Sequence, residues 1–158
     1  MPIRRYFAYG SNMADEVFNA RVDGESVGCA VLRDYQLEFS LPSKRWRGYA
    51  AGIAAFDGEE VWGRLWEVDE AQFEVLDDFE AAYTRLEVIV DRIQSEKNVV
   101  RTESVSALTY IVRPERRDHT GGAPVPEYLN HMVAGAEACA IPEHYIRFLK
   151  AASTISVE

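Results

Sequence analysis

Cysteine is scarce, with only Cys29 and Cys139 in 158 residues, far apart in sequence. Two thiols make no disulfide framework, and both read as small buried apolar side chains. No secretory leader precedes them, so a cytoplasmic protein is the expectation. No apolar run approaches ~20 residues, which excludes a helical membrane span. Histidine is equally sparse. His119, His131 and His144 are scattered, and none stands at metal-ligand spacing from another His or Cys. Neither GxxxxGK[ST] nor GxGxxG occurs, so nothing supports nucleotide binding, and no GxSxG elbow marks a serine hydrolase. Positive charge is in deficit, with 17 Lys and Arg against 26 Asp and Glu, a net charge of −9. That excludes a binder that tracks nucleic-acid phosphates. It leaves room for a small anion in a locally positive pocket.

What remains is a chain with 47% apolar and 27% charged residues, the balance of a globular protein with a full core. One domain over 1–158 is expected, large enough to bury roughly two thirds of its unfolded surface without a staple. Strands are predicted over 3–9, 27–40, 49–56, 60–68, 83–93 and 105–113. Asp57-Gly58 reads as a hairpin turn between the third and fourth of these. A short helix is predicted from Met13 to Ala20, capped by Ser11 or Asn12. A second follows Asp69, with Phe73 and Leu76 on one face. Two more close the chain near 127–139 and 142–152, the latter opened by Pro142. Strands and helices do not alternate regularly. The expected fold class is therefore α+β, a mixed, barrel-like sheet with helices packed around it.

Two short stretches carry chemistry. In YFAYGSN, residues 6–12, an apolar strand runs straight into Gly10-Ser11-Asn12. A strand-to-helix turn leaves backbone N–H groups unused, and they can converge on a carboxylate or a developing oxyanion. The competing reading is that Ser11 and Asn12 only cap the next helix. In LDDFEAAY, residues 76–83, Glu80 lies beside the apolar stripe of its helix. Apolar surroundings raise a carboxyl pKa towards the range a general acid or base needs; the alternative is a solvated acidic helix end. Tyr9, Tyr83 and Tyr128 are candidates to line a pocket, each with a flat face and a hydroxyl. Tyr6 reads as a residue of backbone contacts or packing only, and Arg45, Trp46 and Arg47 as a basic loop that either guides an anion or only solubilises the chain.

With YFAYGSN and LDDFEAAY in hand, residues 5 to about 150 resemble the gamma-glutamylcyclotransferase-like family. Tyr9, Gly10, Ser11 and Asn12 stand at its YGSN loop. GYAAGIA and VWGRLWEVDEAQFEVLDDFE resemble its VxGxxW strand and the helix that follows, and Glu80 falls on its catalytic glutamate. Tyr83 and Tyr128 fall on positions near the ligand. The resemblance implies release of 5-oxoproline from a gamma-glutamyl substrate by intramolecular aminolysis, without metal or cofactor. It also suggests a possible homodimer. One departure borders the pocket: only Ala81 and Ala82 separate Glu80 from Tyr83, where some relatives have a longer Gly-rich stretch. The family takes gamma-glutamyl amino acids, glutathione or gamma-glutamyl amines. Two other classes stand beside this reading. One is a non-catalytic module capturing a carboxylated metabolite in the same pocket; the other is a protein-interaction domain using the C-terminal helices.

Overall fold

A computed structural model describes residues 2–155. Five strands close into a barrel in the order β1-β3-β2-β4-β5. They are β1 Arg4–Ala8, β2 Glu25–Ser43, β3 Gly48–Val68, β4 Tyr83–Glu96 and β5 Val99–Val112. Neighbours pair antiparallel, except where the short β1 closes the ring in parallel against β5, with Tyr6 opposite Leu108. The helices are α1 Asp15–Asn19, α2 Glu70–Phe79, α3 Pro126–Ala138 and α4 Glu143–Lys150. The α+β barrel with surrounding helices is thus the observed architecture, and it is a single contiguous core.

The strands are longer and fewer than the sequence pattern predicts. Asp57-Gly58 is not a hairpin: β3 runs through it without a break. Opposite it the β2–β3 register jumps from Arg33↔Glu60 to Tyr35↔Ala55. Residues 56–59 bulge against Asp34, whose φ is 66°, and the Gly58 N–H donates to Asp34 Oδ1 at 3.0 Å. A turn-forming pair has been absorbed as a bend in one long strand. The true hairpin turn is the basic Lys44–Arg47 segment, closed by the Arg47 N–H on the Ser43 carbonyl at 2.9 Å. Likewise the polar stretch 95–103 is mostly strand. Lys97 and Asn98, both at positive φ (50° and 66°), make a two-residue turn, which matches the right-handed twist of its strands.

The helix ends obey local chemistry where they can. Asp69 caps α2 through the Gln72 N–H, and the Gln72 side chain returns to the Asp69 N–H, both at 2.8 Å. Phe73 and Leu76 of α2 are fully buried, as the spacing requires. Pro126 occupies the first turn of α3, and Pro142 immediately precedes α4. Among the described residues no helix is long and apolar enough to cross a membrane.

Candidate active site

The site begins where β1 ends. Residues Ser11–Met13 form one 3-10 turn, and α1 starts only at Asp15, with Ala14 at its N-cap and no side-chain cap. Ser11 and Asn12 therefore do not cap the helix. The Asn12 side chain is committed elsewhere.

The turn is held from both sides. Below it, the Trp66 indole N–H donates to the Asn12 carbonyl at 3.0 Å, and Arg64 Nη1 donates to the Met13 carbonyl at 2.9 Å. Phe18 of α1 stacks on Trp66, with ring centroids 3.9 Å apart. Above it lies α3: a Cβ on Gly135 would fall 2.3 Å from the Met13 carbonyl carbon. Within the turn, the Met13 and Ala14 amides bond to the Gly10 and Ser11 carbonyls, both at 3.1 Å. The amides of Gly10 and Asn12 have no acceptor among the described residues. Gly10 has φ at −107°, outside the left-handed region, so a positive φ is not what requires glycine. Space is: a Cβ there would lie 2.9 Å from the Tyr128 hydroxyl.

Glu80 arrives from the other side as the residue that ends α2. Its N–H bonds the Leu76 carbonyl, and its carbonyl accepts from the Tyr83 N–H, both at 2.9 Å. The short Ala81-Ala82 link thus turns the chain directly into β4. The two neighbouring acids part company with it. Asp77 is forked by Arg85 at 2.9 and 2.7 Å and takes the Tyr110 hydroxyl at 2.7 Å. Asp78 is exposed at the rim.

Across 68 residues of sequence, Asn12 Nδ2 donates to Glu80 Oε1 at 3.0 Å. The same nitrogen donates to the Tyr6 hydroxyl at 2.9 Å. Arg21 completes a triangle: its Nη1 donates to Glu80 Oε1 at 3.1 Å and to Asn12 Oδ1 at 3.0 Å. The Glu80 side chain is 16% exposed and that of Arg21 is 7% exposed. Burial pushes the Glu80 pKa above the ordinary carboxylate value. Arg21, Arg45 and the Asn12 amide oppose that rise without cancelling it.

These groups line a cavity of about 750 Å³, within the usual range for small-molecule sites. Tyr9, Gly10, Ser11, Asn12, Glu80, Tyr83 and Tyr128 all lie on its wall. The tyrosines differ in what they have left to offer. Tyr9 donates its hydroxyl to the Tyr110 carbonyl and Tyr83 to the Ala51 carbonyl, both at 2.6 Å. Those two protons are spent on backbone. Tyr128 instead accepts from the Ala51 N–H at 2.9 Å. Burial raises its pKa to about 12, and the Ala51 amide and Ser11 hold it from going higher. At the mouth, Lys44, Arg45 and Trp46 of the β2–β3 turn overhang the opening. The sequence pattern did not point to Arg21, and Tyr6 read as a residue of backbone contacts or packing only. Arg21 sits in no motif, and the one available signal was chemical: an arginine immediately after an eight-residue amphipathic stretch must either reach water or find an acid.

The model of the AIG2-like family matches residues 60–149, more than half of the chain. The chain belongs to this gamma-glutamylcyclotransferase-like family. The gamma-glutamylcyclotransferase of Mus musculus is 29% identical over 152 residues, covering 92% of this chain and 77% of that protein. The one from Homo sapiens is 27% identical over the same shares. A solved structure named gamma-glutamyl cyclotransferase superposes with a TM-score of 0.86 at 25% identity, covering 99% of this chain and 91% of its own. The chain is thus of the same enzyme type as these gamma-glutamylcyclotransferases. The family match contains Glu80, Tyr83 and Tyr128, and the longer alignments extend the likeness over most of the remainder.

Proposed function

We propose that this protein is a cyclotransferase that releases 5-oxoproline from a gamma-glutamyl compound by intramolecular aminolysis. The observation that carries the proposal is the contact between Asn12 and Glu80, which sets one buried carboxyl group against an amide-rich turn inside a cavity. The relatives named for this activity support it.

In the reaction, the α-amine of the glutamyl group attacks its own γ-carbonyl carbon. A ring C–N bond forms, the original amide C–N bond breaks, and the leaving nitrogen gains a proton. Glu80 is suited to both transfers. Ionised, it takes a proton from the α-ammonium; protonated, it delivers one to the leaving nitrogen. Its raised pKa brings the two forms closer in energy near neutrality than an exposed carboxylate allows. The unclaimed Gly10 and Asn12 amides are placed to stabilise negative charge on the substrate or on the carbonyl oxygen. The rings of Tyr9 and Tyr83 supply wall rather than donors, since their hydroxyls are engaged. Tyr128, whose oxygen accepts from Ala51, and Tyr6, whose oxygen accepts from Asn12, are the lining tyrosines whose hydroxyl protons are not given to backbone or carboxylate among the described residues. Folding the substrate back on itself inside these walls supplies the orientation that ring closure needs.

Arg45 and Trp46 of the β2–β3 turn also line the cavity, beside the groups assigned to the glutamyl part. A panel of gamma-glutamyl dipeptides, glutathione and gamma-glutamyl amines, followed as 5-oxoproline, tests the activity and identifies the leaving group. Glu80→Gln is expected to lower kcat on the order of 10²–10⁴-fold while the fold, checked by circular dichroism, persists. Full activity in that variant removes Glu80 from the chemistry. Saturable binding across the panel without turnover would favour a binding module instead.

A further inference from the structure

We propose that Arg21 is a positioning residue, locked by the Phe79 ring, that holds the Glu80 carboxyl against Asn12 and sets the pH range in which Glu80 acts. The inference rests on the cyclotransferase reading for its kinetic arm only.

Three contacts argue for it. One nitrogen of Arg21 bridges Glu80 Oε1 and Asn12 Oδ1, so the arginine fixes the distance between the turn and the acid. Arg21 also lies over Phe79, the residue immediately before Glu80, with its guanidinium carbon 4.7 Å from the ring centroid. A guanidinium stacked on an aromatic face keeps its in-plane N–H edge free for hydrogen bonds, and less orientational freedom is lost when it binds. Third, the Arg21 side chain is buried, so its charge acts on Glu80 through little water.

The surroundings of Glu80 leave few other charges to set its titration. From β1 and the turn come Tyr6 and Tyr9, from β4 Tyr83, from α3 Tyr128. All four are buried with raised pKa values and are neutral near pH 7. Asp78 of α2 lines the same cavity but is exposed. Arg45, on the β2–β3 turn, approaches the same Phe79 ring at 5.0 Å, is exposed, and has no carboxylate partner among the described residues. Arg21 is therefore, among the described residues, the one cation with a buried side chain in contact with the acid.

A merely structural arginine would affect stability and leave the titration of Glu80 alone; a positioning arginine moves it. Two readouts separate these. The first is the titration of Glu80 by carboxyl carbon NMR on the full chain, compared in wild type, Arg21→Gln, Arg21→Lys and Phe79→Leu. Loss of the guanidinium raises the Glu80 pKa further. Lysine, which keeps the charge, restores most of the wild-type position. Phe79→Leu, at a partly exposed site where folding is tolerant, shifts the pKa in the same direction by less. The second is the pH profile of kcat. In Arg21→Gln its acid limb moves to higher pH, so kcat on that limb falls on the order of tenfold, the factor carried by one pK unit. At the alkaline plateau the loss is smaller, and KM changes less than kcat. Glu80 titrating alike in wild type, Arg21→Gln and Phe79→Leu overturns the proposal. Should Arg21→Gln fail to fold, the Phe79→Leu titration decides it. If wild type releases no 5-oxoproline, the cyclotransferase reading fails, and the NMR arm still decides the role of Arg21.

Discussion

A Cβ built on Gly10 would lie 2.9 Å from the Tyr128 hydroxyl but 3.9 Å from the ring carbon that bears it. The clash is with one oxygen, and that makes it separable. Gly10→Ala alone should cost about 1–3 kcal/mol through overpacking, and should weaken catalysis by displacing Tyr128 from the turn. Tyr128→Phe alone leaves the buried Ala51 N–H without its acceptor, which costs about 1–3 kcal/mol. Combined, the two changes should be less destabilising than their sum by about 1 kcal/mol, because the colliding atom is gone. Urea unfolding of the four proteins measures the coupling, and strict additivity would mean that Gly10 is constrained by something other than Tyr128. Glu80 offers a second test at this scale. Its pKa is raised on folding, so the folded state holds the proton more tightly than the unfolded one. The favourable linkage is then complete below the unfolded pKa and is lost as pH rises through the folded one. Glu80→Gln has no such loss. Its Tm minus that of wild type should therefore grow from about pH 4 to pH 8. A difference that is flat or shrinks with pH would contradict the raised pKa.

Among the elements, α3 is the one whose sequence hides its role. Gly135 in its interior would ordinarily be a weakness, since alanine there favours a helix by about 1 kcal/mol. Here a Cβ would meet backbone and side-chain atoms of Met13 at 2.3–2.4 Å, with no flexible tip to yield. Gly135→Ala should therefore reverse the usual sign, lowering stability by about 1–3 kcal/mol and reducing kcat as α3 pushes the 3-10 turn towards the cavity. Thermal melts and 5-oxoproline assays check both. A more stable, fully active variant would show that α3 can back away freely. The same scale explains which parts of the fold were legible. The start of α2 followed from Asp69 and the Phe73–Leu76 spacing, because caps and helical periodicity are local, whereas its end falls at Phe79, short of the Ala82 that the sequence pattern suggested. The strand ends did not follow either. Asp57-Gly58 carries the residues of a turn, yet pairing with β2 on both flanks held it in one strand and bent it instead. Ser11 and Asn12 carry the residues of a cap, yet a buried arginine and a buried acid claimed Asn12 first. In each case a tertiary partner outweighed a local preference.

For the whole molecule, the YGSN turn and Glu80 were readable as candidates, and the family resemblance implied that they meet, but the residues alone did not show it, since only barrel closure brings β1 beside the end of α2. Arg21 became visible only then. The fold also contains ion pairs that titrate in the opposite sense to Glu80. Arg117 forks Glu38 at 2.7 and 2.8 Å and so ties the loop after β5 back to β2. Burial tends to raise the Asp77 pKa, but the Arg85 fork and the Tyr110 hydroxyl win, and Asp77 ends below its ordinary value. Glu38 is lowered too, chiefly by its bonds to Arg117. A carboxyl group depressed on folding contributes stability above its unfolded pKa and loses it as pH falls through the folded one. Both pairs are partly exposed, so solvent screening limits each to about 1 kcal/mol or less. Arg117→Met should accordingly lower Tm at pH 7, where Glu38 is ionised and paired. The gap to wild type should close as pH falls below the carboxylate range, where wild type has lost the pair as well. Because the Glu80 effect runs the other way, Glu80→Gln should leave this acid-side convergence untouched. Melting wild type, Arg117→Met and Glu80→Gln between about pH 3 and pH 8 reads both linkages at once. A gap between Arg117→Met and wild type that is constant with pH would mean that Arg117 acts through packing of its aliphatic stem rather than through its charge.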